Sequence, residues 1–258
     1  MLLSADSIAS DRRHGATELA SRAAALLMDA AAGGDWRNLA DELQKAQPAM
    51  AGVLRVALEV GRARSADEAA EVARRWQRRL AESARAVARH ASALVRGRVL
   101  THSYSSLVFG AIVEAQRSGS AFQVVTTESQ PGGEGRRLAA DLASRGVDVR
   151  VIADTAAGAA LQETSVVLIG ADSVSPLGVL NKTGSSLIAA AARLRRRPVY
   201  ALFGEEKIWP EALPAGDLFD RTPLDWFAGF VTDQGIRPSL AGAPLWPVEA
   251  RPAQRLLD

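Results

Sequence analysis

The sequence predicts an α/β protein with helices first and a parallel sheet second, the change falling near Gly97 and dividing the chain into residues 1–96 and 97–258. Three observations carry this. From Asp11 to about Val95 apolar residues recur at three- and four-residue steps in an Ala-rich background, as packed helices require. After Gly97 short β-branched runs alternate with helical stretches at the spacing of βαβ units, which build a sheet covered on both faces. The 258 residues, 48% of them hydrophobic, suffice to bury a core of that size.

In the first half the plainest helix runs from Ala66 to Val95. Val72, Trp76, Leu80, Val87 and Leu94 fall on one stripe, while Arg74, Arg75, Arg78, Arg79, Arg85 and Arg89 take other faces. This pattern reads as a bundle helix with a solvated arginine face rather than a nucleic-acid surface. In the second half strands are expected at Arg98–Ser103, Phe122–Thr127, Val147–Ala153, Ser165–Ile169 and Pro198–Phe203. Helices are expected at Leu107–Arg117, Gly135–Ser144, Ala156–Gln162 and Ser186–Arg195. Beyond them Pro214, Pro223, Pro238 and Pro244 punctuate the stretch from Pro210 to Asp258, which is expected to be irregular and to pack back on the sheet.

Composition removes several function classes. Lys plus Arg total 31 against 29 for Asp plus Glu, a formal charge of only +2, so nucleic acid is not an expected partner. The absence of cysteine excludes disulfides, thiolate metal sites, iron–sulfur clusters and a thiol nucleophile. His14, His90 and His102 have no metal-ligand spacing, so no metal is expected. No Gly-x-Gly-x-x-Gly follows the first strand, and Lys182-Thr183 lacks the P-loop glycines, with Pro176 and Asn181 in their places. No cofactor is therefore expected. With neither a secretory pattern at the N-terminus nor a run of about 18 apolar residues, the expectation is a cytoplasmic protein without a membrane span.

A parallel sheet binds ligands at the carboxyl ends of its strands, and three polar clusters fall there. Thr101-His102-Ser103-Tyr104-Ser105-Ser106 leads from a strand into a helix, where free backbone N–H groups can hold an oxyanion or Ser105 or Ser106 can simply cap. Thr126-Thr127-Glu128-Ser129-Gln130-Pro131-Gly132-Gly133-Glu134-Gly135-Arg136 is a glycine-rich turn that cradles phosphate or merely connects. Gly170-Ala171-Asp172 follows a buried apolar run, and Asn181-Lys182-Thr183-Gly184-Ser185 comes after eight intervening residues. A lone aspartate in such a place is often a cap, but three clusters on one edge point to a site.

In their order these motifs resemble the family that unites the α, β and δ regulatory subunits of translation initiation factor eIF2B with the isomerases of 5-methylthioribose 1-phosphate and ribose 1,5-bisphosphate. The segment Asp11-Arg12-Arg13-His14-Gly15-Ala16-Thr17-Glu18-Leu19-Ala20 is similar to the family's N-terminal motif, and Phe219-Asp220 and Val231-Thr232-Asp233-Gln234-Gly235 to its C-terminal one. The resemblance implies a helical domain followed by a Rossmann-like domain, a sugar phosphate bound between them, and a homodimer or higher homo-oligomer formed through the second domain. It places the family's catalytic aspartate at Asp172 and its substrate-contacting Asn-Lys pair at Asn181 and Lys182. It places phosphate against Arg13, Gly15, Ala16 and the amides near Ser103–Ser106 and Gly132–Arg136, with Glu128, Gln130 and Arg136 as further substrate contacts.

The sequence departs from the pattern at two chemically important points. Ser103 stands where the isomerases carry a catalytic cysteine, and a hydroxyl is a far weaker acid than a thiol. Gln130 stands in place of an arginine that would favour an anionic ligand. Two readings follow: a sugar-phosphate aldose–ketose isomerase, with Asp172 as acid/base, Lys182 steadying developing negative charge and Ser103 or a water replacing the thiol, or a non-catalytic regulatory or metabolite-sensing subunit.

Overall fold

The computed structural model describes residues 4–11 and 13–241. Five helices precede the first strand: α1 (Ala5–Ala9), α2 (Ala16–Gly33), α3 (Trp36–Ala46), α4 (Ala51–Gly61) and α5 (Ala66–Ser92). The Ser65 side chain caps α5 by accepting from the Glu68 amide. Asp67 and Glu68 in its first turn and Arg89 and His90 in its last suit the helix dipole. Of the predicted stripe Val72, Trp76, Leu80 and Val87 are buried in the helix, while Leu94 lies past its end. Trp76 also donates from its indole to Glu59 on α4 at 3.0 Å, which gives a buried aromatic its polar partner.

The rest of the chain forms β1 (Gly97–Thr101), α6 (Ser106–Arg117), β2 (Phe122–Thr127), α7 (Glu134–Ala143), β3 (Val149–Ile152), α8 (Ala157–Ala160) and β4 (Val166–Gly170). These are followed by β5 (Ser173–Ser175), β6 (Gly178–Lys182), α9 (Ser185–Leu194), β7 (Val199–Leu202), β8 (Phe219–Thr222), β9 (Gly229–Thr232) and β10 (Gly235–Arg237). The main sheet has the order β10-β9-β7-β4-β1-β2-β3. Its pairings are parallel except for β10 on β9. Every residue of β4 is buried, as expected of a strand with both faces covered. The late turns of α5 join this layer to the helices: Val87 and Ala91 share one apolar cluster with Val99, Leu107, Val108 and Val231.

The strand order reverses at β1, which has β4 on one side and β2 on the other. The crevice outside the carboxyl ends of β1 and β4 is thus the topological switch point where such sheets take ligands.

The structure adds one pair of strands the sequence did not suggest and corrects two expectations. The polar stretch before α9 is a pair of strands: β5, β6 and β8 form a separate antiparallel sheet. The proline-punctuated C-terminal stretch also supplies β8, β9 and β10, and β9 pairs directly with β7. The helix expected at Ala156–Gln162 is a 3-10 turn, Asp154–Ala156, running into the short α8. Residues 242–258, with Pro244, lie outside the described residues, as does Arg12. Among the described residues no helix is long and apolar enough to cross a membrane.

Candidate functional site

A cavity of about 300 Å³ opens at the switch point. Ser103, Glu134, Asp172, Asn181 and Lys182 line it from the sheet half, and Asp11, Arg13, His14 and Gly15 from the segment that leads into α2. Met50, Pro214 and Phe219 give it an apolar wall.

Ser103 has a left-handed backbone (φ +64°), uncommon for a residue with a side chain. Its amide donates to Ser129 Oγ at 2.7 Å, and Ser129 is itself left-handed (φ +63°) and fully buried. Asp154 fixes that turn by accepting from the amides of Ser129 and Gln130 at 2.7 and 2.8 Å. Burial opposes the charge on Asp154, but these amides outweigh it and hold the carboxyl below its ordinary range.

His102, next to Ser103, is a buried strut. Its Nε2 lies 2.8 Å from the Thr183 carbonyl, which can only accept, so that nitrogen carries the proton and Nδ1 accepts from the Thr127 hydroxyl at 2.6 Å. Burial lowers its proton affinity further, leaving a neutral ring with both nitrogens in use. Gly184 permits this: its φ is +103°, and a Cβ there would press to 3.1 Å on the imidazole.

Asp172 follows β4 and is held through its backbone. Its amide donates to the Leu180 carbonyl at 2.8 Å, and its own carbonyl accepts from the Ala51 amide at the start of α4 at 3.2 Å. Burial pushes its carboxyl up to about 6, Glu134 adds to that push, and Lys207 and Lys182 oppose it. Lys182 Nζ donates to Glu134 Oε1 at 2.8 Å, and Asn181 donates to Ser185 Oγ at 2.9 Å.

The segment before α2 supplies groups for an anion. Gly15 is the N-cap of this 18-residue helix and has no side chain with which to cap it, so the first amides, including that of Ala16, have no intrahelical acceptor. Gly15, Ala16 and Thr17 line a small cleft beside the main cavity with Ser105, Ser106 and Asp172, and the buried Thr17 hydroxyl has no hydrogen-bond partner among the described residues. Arg137 donates to the Arg13 carbonyl and stacks over the Tyr104 ring at 4.5 Å, tying this segment to α7.

The structure thus brings Arg13, Gly15, Ser103, Asp172, Asn181 and Lys182 to one cavity, with Ala16 in the adjoining cleft. It does not bring Glu128, Gln130 and Arg136 there. Arg136 pairs with Glu128 at 2.5 Å, and the amide of Gln130 is spent on Asp154. The amides of Gly133, Gly135 and Arg136 go to the carbonyls of Ser129, Glu128 and Gly133, so the turn satisfies much of itself. Ser105, not Ser106, caps α6. Sequence reasoning passed over Glu134, Arg137 and Lys207. Glu134 reads as an ordinary acidic residue in a first helical turn, and Lys207 had only the signal of charges set in the apolar run from Phe203 to Trp209.

Residues 12–219 match the initiation factor 2 subunit family. The chain belongs to that family. A putative translation initiation factor eIF-2B subunit 2-like protein of Pyrococcus horikoshii is 31% identical over 220 residues, covering 77% of this chain and 79% of the relative. A ribose 1,5-bisphosphate isomerase of Archaeoglobus fulgidus is 30% identical over 167 residues, 54% of this chain and 53% of the relative. The crystal structure of the Pyrococcus horikoshii OT3 translation initiation factor eIF-2B matches with a TM-score of 0.81 at 29% identity, over 90% of this chain and 94% of that one. A tetrameric eIF2B-beta2-delta2 complex from C. thermophilum shares the fold, with a TM-score of 0.73 at 22% identity over 89% of this chain and 88% of that one. The family thus includes both initiation-factor subunits and sugar-phosphate isomerases.

Proposed function

We propose that this protein binds a phosphorylated sugar in the cavity at the switch point and isomerises it between aldose and ketose, with Asp172 as acid/base. The observation that carries the reading is a carboxyl group raised to about 6 by burial, beside Lys182 and a helix N-terminus with unmet amides. Phosphate is held by the start of α2 at Gly15 and Ala16 with the Arg13 guanidinium, and Asn181 and Lys182 face the sugar. Lys182 steadies negative charge that develops on the substrate oxygens. The likeness to a ribose 1,5-bisphosphate isomerase supports the substrate class. The reading places the protein in the cytoplasm as a homo-oligomer.

The direct test mixes the protein with ribose 1,5-bisphosphate and with 5-methylthioribose 1-phosphate and follows binding by calorimetry and conversion by NMR. Asp172→Asn is expected to keep binding and to lose about 10²–10⁴-fold in turnover, the usual contribution of a positioned acid/base. Unchanged turnover in that variant ends Asp172's role.

Ser103 in the family's cysteine position favours a second reading, a non-catalytic subunit that senses the same metabolite. It is distinguished by a ligand-dependent rise in melting temperature or change of assembly without conversion of either sugar phosphate.

A further inference from the structure

The isomerase reading leaves one chemical role unfilled. Moving a hydrogen between C1 and C2 of a sugar needs a second proton carrier beside Asp172, and Ser103 is poorly served to be one. A serine hydroxyl needs an adjacent base. Its neighbour His102 has both ring nitrogens engaged, by the Thr183 carbonyl and the Thr127 hydroxyl.

Glu134 lines the same cavity as Ser103, Asp172 and Lys182. One of its oxygens accepts from Lys182 Nζ at 2.8 Å, whereas the other, Oε2, is buried and has no hydrogen-bond partner among the described residues. A buried carboxylate oxygen left open is uncommon and calls for an explanation. The surrounding turn is shaped around this group. A Cβ at Gly132 would collide with the Glu134 carboxylate, and one at Gly135 would collide with the Thr127 carbonyl, so the start of α7 sits tight on the end of β2. The charge of Glu134 also acts on Asp172, so the two carboxyl groups lie within electrostatic reach of each other.

We propose that Glu134 is the second proton-transferring residue of this cavity, doing with a carboxylate what the isomerases do with a thiol. The proposal rests on the isomerase reading above. With a furanose 1-phosphate, protonated Asp172 gives its proton to the ring oxygen as the bond from C1 to that oxygen breaks. Glu134 takes the proton from C2, and the electrons of that C–H bond become the C1–C2 double bond of an enol phosphate. Glu134 then returns a proton to C1 while the enol hydroxyl on C2 loses its proton to Asp172 and becomes the ketone. A C–H bond at C2 has been replaced by one at C1, the proton on Glu134 exchanging with solvent between the two steps; the ring is open and both carboxyl groups are restored, with no oxidant or reductant consumed.

The experiment uses the full chain with 5-methylthioribose 1-phosphate and ribose 1,5-bisphosphate in D₂O, read by proton NMR, alongside calorimetric binding. The wild type is expected to place solvent deuterium at C1 of the product. Glu134→Gln is expected to bind with little change while turnover and deuterium incorporation fall about 10²–10⁴-fold, with part of both restored in Glu134→Asp. Should Glu134→Gln fail to fold, Glu134→Asp decides: turnover and exchange below wild type at unchanged binding are expected, and wild-type values overturn the role. Full turnover in Glu134→Gln, or product free of solvent deuterium, overturns the role of Glu134. A wild type that binds either sugar phosphate without conversion or exchange overturns it too and leaves binding standing. A wild type that binds neither ends the isomerase reading itself, and the role of Glu134 with it.

Discussion

Asp172 stands between two buried charge clusters that the fold finishes differently. On the core side a 3-10 turn after β7 carries Glu205, Glu206 and Lys207, all almost wholly buried. Lys207 Nζ donates to the Ala171 carbonyl at 2.8 Å, the Ser83 hydroxyl donates to Glu206 at 3.4 Å, and Arg55 donates to the carbonyls of Glu206 and Ile208 at 3.2 and 2.6 Å. On the cavity side Lys182 and Glu134 form an ion pair with one carboxylate oxygen left open, and the Asp172 carboxylate makes no hydrogen bond among the described residues. Both clusters are largely buried, and each leaves one carboxylate oxygen without a hydrogen bond among the described residues, Glu205 Oε1 on the core side with Arg237 at 3.8 Å; they differ in that Lys207 and Glu206 each have a hydrogen-bond partner, whereas the Asp172 carboxylate has none. A closed network fixes position, whereas an open one keeps donors and acceptors for a ligand at a cost in stability.

The largest expected effect measures that cost. The carboxyl of Asp172 rises from 3.8 to about 6 on folding, so the folded chain holds the proton more tightly than the unfolded one. Stability from this group is therefore lost as pH climbs between about 4 and 6, and the full cost of about 3 kcal/mol applies above that window. Asp172→Asn, which cannot ionise, is expected to be more stable than wild type by about 3 kcal/mol at pH 8, with the gain vanishing toward pH 4. Urea unfolding at the two pH values checks this. An equal difference at both would mean that the charge is not what destabilises the site.

The partnered Lys207 on the core side predicts the opposite sign. Lys207→Met removes a charged donor from the Ala171 carbonyl and a counter-charge from Glu206, whose carboxyl burial already pushes up. The expected loss is about 2 kcal/mol at neutral pH, the usual worth of a hydrogen bond to a charged group. A stabilised Lys207→Met would show that the two clusters do not differ in the way proposed.

This contrast was only half legible in the sequence. β1, β2, β3, β4 and β7 announced themselves as β-branched runs, and with them came the edge on which Ser103, Asp172, Asn181 and Lys182 meet. The strands that escaped notice are short or polar. Ser173–Ser175 and Gly178–Lys182 fall between an expected strand and an expected helix, and Phe219–Thr222 sits among prolines; short strands take their stability from neighbours rather than from local preference. Glu134 and Lys207 escaped for a related reason. A glutamate opening a helix and a lysine after a strand are commonplace alone, and only tertiary packing puts one against Lys182 and the other against the carbonyl before Asp172. Met50, from the turn between α3 and α4, lines the same cavity as Asp172 and Phe219, which lie far along the chain from it, a contact that no local pattern encodes.

The smallest expected effect separates two serines in one hydroxyl-rich turn. Ser105 is the N-cap of α6, its Oγ accepting from the Val108 amide at 3.4 Å, a long bond that still satisfies one of the helix's first amides. Ser105→Ala is expected to cost about 1 kcal/mol by chemical denaturation, the typical worth of an N-cap. Ser103 lines the cavity, and what fixes it is its amide on Ser129 Oγ, a contact that alanine keeps. Ser103→Ala is therefore expected to leave stability unchanged. If the two substitutions cost the same, the division between a residue that holds the helix and a residue that faces the ligand does not run through this turn, and the cavity-side cluster is smaller than the comparison requires.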